Sequence, residues 1–160
     1  MEEYEYSFKV ASIKPYIDYC ENNRYEKISE VTQNRVVYEN KNSEHIIARI
    51  TTKVINGKKT TTFDCKNVNK KDRALNVSNE SIPIKVVKSN QESIYSILEV
   101  LDFYEAANNC RTRYVYKKNG VTFEIDDYIK PQMQVVGIEG AKNEVDKVYK
   151  ELTNLIHEKE

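Results

Sequence analysis

Acidic and basic residues alternate with other types along this chain, and they are sorted by sign. Near the N-terminus, EYEYSFK sets Glu3, Glu5, Ser7 and Lys9 two residues apart. Near the C-terminus, TFEIDD does the same for Glu124 and Asp126, and QVVGIEG adds Glu139. The middle of the chain supplies bases. Arg49 and Lys53 flank Thr51, Lys66 follows Asp64, and Arg111 precedes Arg113. Two-residue spacing puts side chains on one face of a β-strand. Paired carboxylates offer hard oxygen ligands to magnesium or manganese. Arginine grips phosphate through parallel hydrogen bonds, and lysine acts as a point charge. Metal-holding acids beside phosphate-holding bases are the ingredients of polyphosphate chemistry.

These residues need strands to position them. Residues 2–10 read as a strand, followed by a helix capped by Ser12 and running to about residue 23. Its apolar stripe is Ile13, Tyr16, Ile17 and Cys20. Residues 25–39 and 44–55 alternate and are rich in β-branched residues and tyrosine. Asn56-Gly57 is a hairpin turn into 58–66, and Asn67 to Asp72 reads as a loop. Pro83 interrupts a broken strand over 74–88. Ser89-x-x-Glu92 is a capping box for a helix through about Phe103, with Ile94, Ile97, Leu98 and Leu101 on one stripe. Residues 110–118 and 121–128 form a hairpin around Asn119-Gly120, and 132–139 make the last strand. A C-terminal helix carries Val145, Val148, Leu152 and Leu155 in register.

The result is about eight strands and three helices in one domain over residues 1–160. Strands such as 121–128 have an apolar face (Val121, Phe123, Ile125) and an ionic face (Thr122, Glu124, Asp126). An open sheet with one solvated face explains any single strand. A closed barrel with helices outside and a polar lumen explains why the ionic face recurs, since eight strands suffice to enclose a small ligand.

Composition narrows the function by exclusion. The 25 acids equal the 25 bases, so global charge favours neither nucleic acid nor membrane. No apolar run approaches the ~18 residues of a membrane span. The acidic N-terminus lacks a signal-like pattern, and Cys20, Cys65 and Cys110 are isolated, so free thiols and a cytoplasmic location are expected. No P-loop, zinc motif or Ser-His-Asp set is visible, and His45 and His157 lie near element ends.

In order and spacing, the opening ExE, the RTR before a turn, the EIDD after it and the closing IEG resemble the CYTH superfamily, or triphosphate tunnel metalloenzymes. That group includes thiamine triphosphatases, inorganic triphosphatases and class IV adenylate cyclases. The resemblance implies an α+β fold, an eight-stranded antiparallel barrel whose tunnel holds a triphosphate. It assigns Glu3, Glu5, Asp126 and Glu139 to a magnesium or manganese ion, and Arg49, Lys66, Arg111 and Arg113 to phosphates. Lys85 shares the parity of the inward face and joins the phosphate set.

Three positions depart from the family pattern. Ser7 stands where the family has a catalytic lysine. Lys9, about 7 Å further along the strand, is the candidate substitute. Thr51 replaces the second arginine of an RxR pair. Gly137 replaces the first acid of the closing ExE, and Glu124 is placed to compensate as a catalytic acid. The expected function is a metal-dependent hydrolase of tripolyphosphate, thiamine triphosphate or a nucleoside triphosphate. A non-catalytic polyphosphate or nucleotide binder and a class IV adenylate cyclase are the alternatives. The expected partner is a triphosphate-containing small molecule, with the chain a monomer or homodimer.

Overall fold

A computed structural model of the protein describes residues 2–72 and 74–153. Eight antiparallel strands close into a barrel. They are β1 (Glu2–Val10), β2 (Glu26–Asn40), β3 (Ser43–Ile55), β4 (Lys58–Asp72), β5 (Leu75–Glu80), β7 (Phe103–Lys118), β8 (Val121–Lys130) and β9 (Met133–Gly140). Their order is β3-β2-β7-β8-β9-β1-β5-β4, and pairing of β3 with β4 completes the ring. A two-residue strand, β6 (Ile84–Lys85), attaches to β4 beside Thr62 and Phe63. The helices are α1 (Lys14–Asn22), α2 (Lys88–Val100) and α3 (Lys142–Glu151). None of the described helices is long and apolar enough to cross a membrane.

Strand parity sorts side chains as the closed-barrel reading requires. Tyr4, Tyr6 and Phe8 point out of β1 and pack on the main core, while Glu3, Glu5 and Ser7 line the interior. Val121, Phe123 and Ile125 of β8, with Val136 and Ile138 of β9, are buried against Tyr16 and Cys20 of α1 and Val145 and Val148 of α3. Phe123, Ile125 and Ile138 are fully buried. Truncating such a side chain to alanine typically costs about 2–5 kcal/mol, so this outer core fixes the register that aims the ionic face inward. A smaller core places Ile94 and Leu98 of α2 on Ala48 and Ile50 of β3. Ile97 and Leu101, expected on that stripe, remain about half exposed, at 52% and 53%. Only the Ile94–Leu98 edge of α2 meets the barrel.

Both hairpin turns have positive φ at both central residues, Asn56-Gly57 and Asn119-Gly120, the geometry that suits the twist of paired strands. Gly140 needs to be glycine. Its φ is 144°, and a Cβ there would lie 2.2 Å from the carbonyl oxygen of Gly120.

Several boundaries differ from the sequence reading. Residues 67–72 are strand, because their backbone pairs with β5 despite polar side chains. β7 starts at Phe103, seven residues before the expected 110, because Phe103 to Asn109 pair with β2. Tertiary pairing outweighs the poor strand propensity of EAANN. α2 begins at Lys88, with Val87 as N-cap; the Asn90 side chain accepts the Val87 N–H at 2.8 Å, so Ser89 and Glu92 do not form the box. Ile13, not Ser12, is the N-cap of α1, although Ser12 Oγ accepts the Lys14 N–H at 3.2 Å. Leu155 and His157 lie outside the described residues.

Candidate functional site

The barrel encloses a cavity of about 350 Å³. Seven carboxylates and six basic side chains line it. From the expected set, the cavity gathers Glu3, Glu5, Arg49, Lys66, Arg111, Arg113, Glu124, Asp126 and Glu139. Lys9 and Lys85 are exposed and lie outside the lining. Lys9 pairs with Val135 one lumen-facing position beyond Ser7, near the end of β1, and Lys85 sits on the short β6 strand.

The acids gather on β1 and β9. Glu5 and Glu139 are register partners, and Glu3 is two residues from Glu5. One carboxylate oxygen from each of Glu3, Glu5 and Glu139 falls within 4.8 Å of the others. Burial raises all three carboxyls above their ordinary range. Glu139 is pushed up to about 10 by burial, then by the charges of Glu124 and Glu3 and a hydrogen bond shared with Glu3. Three crowded, desolvated carboxyls with only oxygen donors suit a hard divalent cation, which would favour their ionised form. Asp126 does not join this trio. Arg113 holds it with two hydrogen bonds, Nε to Oδ1 at 2.7 Å and Nη2 to Oδ2 at 2.9 Å.

Two of the arginines are bound by lumen carboxylates. Arg49 donates through Nε and Nη2 to Asp64 at 2.9 and 2.6 Å, and through Nη2 to Glu80 at 2.7 Å. Arg113 meets Glu124 through Nη1 as well as Asp126. Burial alone would lower these guanidinium pKa values, but the paired carboxylates outweigh it and raise both. Lys66 lies 3.6 Å from Glu3 and 3.7 Å from Glu80. Burial raises Glu80, but Arg49 and Lys66 bring it below its usual value. Arg111 differs. It is 3% exposed and gives Nη1 to Tyr128, and its Nε and Nη2 are buried without a partner. Buried donors left unpaired are costly, and an anion in the cavity would satisfy them.

The departures from the family pattern are neighbours. Ser7 faces Gly137 across the β1–β9 ladder, and Gly137 faces Glu124 across the β8–β9 ladder. This strip of the wall is free of long side chains on two of three strands.

Arg35 and Glu80 line the cavity and were not singled out from sequence. The doublet Val36-Val37 hides the alternation around Arg35, and Glu80 ends a strand that Pro83 makes look broken. Lys53 and Asp64 share the parity of Arg49 and Lys66, which was the available signal for both.

The fold is a closed antiparallel barrel with a cavity lined by charged side chains. No protein-family model matches the chain, and no curated protein matches its sequence. Solved structures do share the fold. The PH1012 protein of Pyrococcus horikoshii OT3 is 19% identical with a TM-score of 0.70, over 97% of this chain and 88% of its own. HpAC1 from Hippeastrum is described as an adenylyl cyclase candidate with a dominant triphosphatase activity. It is 14% identical with a TM-score of 0.64, over 98% of this chain and 87% of its own. A chain of the Schizosaccharomyces pombe Mediator head module is 9% identical with a TM-score of 0.64, over 100% of this chain and 97% of its own. The architecture therefore occurs in unlike settings, and function has to be argued from the cavity.

Proposed function

We propose that this protein is a CYTH-like triphosphatase that binds a triphosphate-containing molecule in the barrel and hydrolyses it with magnesium or manganese. The observation that carries this reading is the pairing, in one cavity, of the Glu3–Glu5–Glu139 trio with a buried Arg111 whose Nε and Nη2 lack partners. The HpAC1 fold likeness supports it.

Lining acids outnumber lining bases, so a polyanion needs additional positive charge to enter. Glu3, Glu5 and Glu139 would hold a divalent ion, which would supply that charge and polarise phosphoryl oxygens. Arg111 would donate Nε and Nη2 to the phosphate chain. Arg113 and Arg49 would contribute field and orientation while remaining braced by their carboxylates. Glu124 faces Gly137 across the β8–β9 ladder and lines the cavity, and it would orient a water molecule towards the terminal phosphorus. Catalysis of this kind is mainly positional and electrostatic.

A second reading is a non-catalytic polyphosphate binder. It is favoured by Ser7, which leaves β1 without a cation at that lumen position while Lys9 stays outside the lining. A phosphate-release screen separates the two. Tripolyphosphate, ATP and thiamine triphosphate are each incubated with magnesium and with manganese, and cyclic AMP is measured in the ATP samples. Release of phosphate supports the triphosphatase. Cyclic AMP would assign a cyclase instead. Tripolyphosphate binding without turnover selects the binder.

A further inference from the structure

Positive charge in this cavity is neutralised unevenly. Arg49, Arg113 and Lys66 each have two carboxylates within ion-pair distance. Arg35 and Lys53 have none among the described residues. Arg35 Nε donates to Thr51 Oγ1 at 2.9 Å, a neutral acceptor. Arg111 lies 3.6 Å from Asp126 at Nη1, and its Nε and Nη2 remain unpartnered.

These three cations are neighbours by register. Lys53 of β3 pairs with Gln33 of β2, and Gln33 pairs with Arg111 of β7, so one row crosses three strands. Arg35 stands two residues from Gln33 and pairs with Thr51. Gln33 is itself 2% exposed with Oε1 unpartnered. The cluster is set apart from the carboxylate trio. Arg111 pairs with Tyr128 of β8, whereas Glu139 pairs with Thr122 at the other end of that strand.

Of the three, Arg111 is buried, Arg35 half-buried and Lys53 exposed at the cavity wall, and grouping like charges without counter-charge is unfavourable. Arg35 shows the strain. Burial first, then the charges of Arg111, Arg113 and Arg49, pull its pKa down to about 9. Lys53 is lowered by burial and then by Arg113 and Arg35. A phosphoryl group would relieve both, because its oxygens accept charge-assisted hydrogen bonds from guanidinium and ammonium together.

We infer that Arg35, Lys53 and Arg111 form a distinct phosphate subsite that holds one phosphoryl group of a polyphosphate chain, with Arg35 supplying from β2 the guanidinium that Thr51 does not supply from β3. The inference deepens the triphosphate reading and rests on it. Arg35 is here a binding and positioning residue.

The test is calorimetric titration of tripolyphosphate, with manganese, into wild type, Arg35→Gln, Lys53→Gln and the double variant Arg35→Gln/Thr51→Arg, with melting temperatures of the ligand-free proteins measured in parallel. Arg35→Gln and Lys53→Gln are each expected to weaken binding by about tenfold or more, the loss typical of a charge-assisted contact. The same single variants should melt at or above wild type, because each removes a charge repelled by its neighbours. A merely structural arginine would instead lower the melting temperature and leave affinity alone. The double variant should recover most of the affinity by moving the guanidinium to the paired strand. Wild-type affinity in both Arg35→Gln and Lys53→Gln overturns the subsite while leaving the triphosphate reading intact. No tripolyphosphate binding by wild type overturns both. Should Arg35→Gln not fold, Lys53→Gln decides by the same criterion.

Discussion

Ser7 and Gly137 are partners across the β1–β9 ladder; Ser7 lines the cavity with a short side chain and Gly137 has none. A Cβ built on Gly137 would lie 3.6 Å from the Glu124 carbonyl oxygen and 3.9 Å from Glu5 Cδ, ordinary contact distances, and its backbone is not in the left-handed region. Gly137→Glu is therefore expected to fold. The new carboxylate would stand beside Glu5 and two residues from Glu139. Without metal it should lower the melting temperature, through repulsion in a desolvated site. With manganese it should raise the metal-dependent gain above that of wild type. Manganese affinity and melting curves on both proteins check this. An unchanged manganese shift in a folded variant would count against Gly137 as a ligand position.

Arg113 is expected to contribute to polyphosphate affinity. Its guanidinium is braced by Glu124 and Asp126 and faces the cavity. Arg113→Ala removes a phosphate-facing charge and also leaves Glu124 and Asp126 to repel a polyanion. Tripolyphosphate affinity should fall by roughly 1.5–3 kcal/mol, the range for charge-assisted contacts. Lys118→Ala should do little, because Lys118 Nζ donates to the Asn23 carbonyl on the outside of the barrel. Equal losses by calorimetry would mean that side-chain parity carries no functional information.

The raised carboxyl of Glu139 sets a pH dependence. Its folded pKa of about 10 lies above its ordinary value of 4.5. The folded state therefore binds a proton that the unfolded state has released. The stability linked to this proton is complete below the ordinary value and is lost as pH rises through the folded one. Glu3 and Glu5 are also raised and act in the same direction. Glu139→Gln keeps a neutral group at all pH values. In chelator, it should melt above wild type at about pH 9, and the difference should shrink towards about pH 5. Parallel melting-versus-pH curves for the two proteins would contradict this assignment.

Much of the barrel could be read from the chain because one rule acts on every strand. Phe123 out and Glu124 in follow from alternation alone, and the Asn-Gly turns mark two hairpins. What stayed hidden depends on pairing partners. EAANN is a poor strand sequence until β2 supplies its hydrogen bonds, and NVNKKD reads as a loop until β5 does the same. Ile97 and Leu101 fit an apolar stripe, yet α2 meets the barrel along only one edge of it. In the site, the sign of each residue was legible and its partner was not. Sequence placed Asp126 with the metal ligands, whereas pairing across β7–β8 delivers it to Arg113. Arg35 was hidden because the residue it donates to, Thr51, lies on a different strand.

The proposed metal site can be tested through Glu5. Glu5 sits between Glu3, two residues away on the same strand, and Glu139, its partner on β9. Burial raises its pKa first, with Glu124 and Glu3 adding to the effect against the pull of Lys66. A divalent ion would favour the ionised form of all three carboxyls and displace the protons they retain. Manganese should therefore raise the melting temperature at neutral pH, by mass action on the folded state alone. The gain should fade in acid, as protons compete for the same oxygens. Glu5→Gln preserves shape and one carbonyl oxygen but removes the charge, so it should lose most of the gain while remaining folded in chelator. The measurement is a melting series across pH, with and without manganese, on wild type and Glu5→Gln. A full metal-dependent shift in Glu5→Gln would show that manganese binds elsewhere, and the hydrolase reading would lose the site on which it depends.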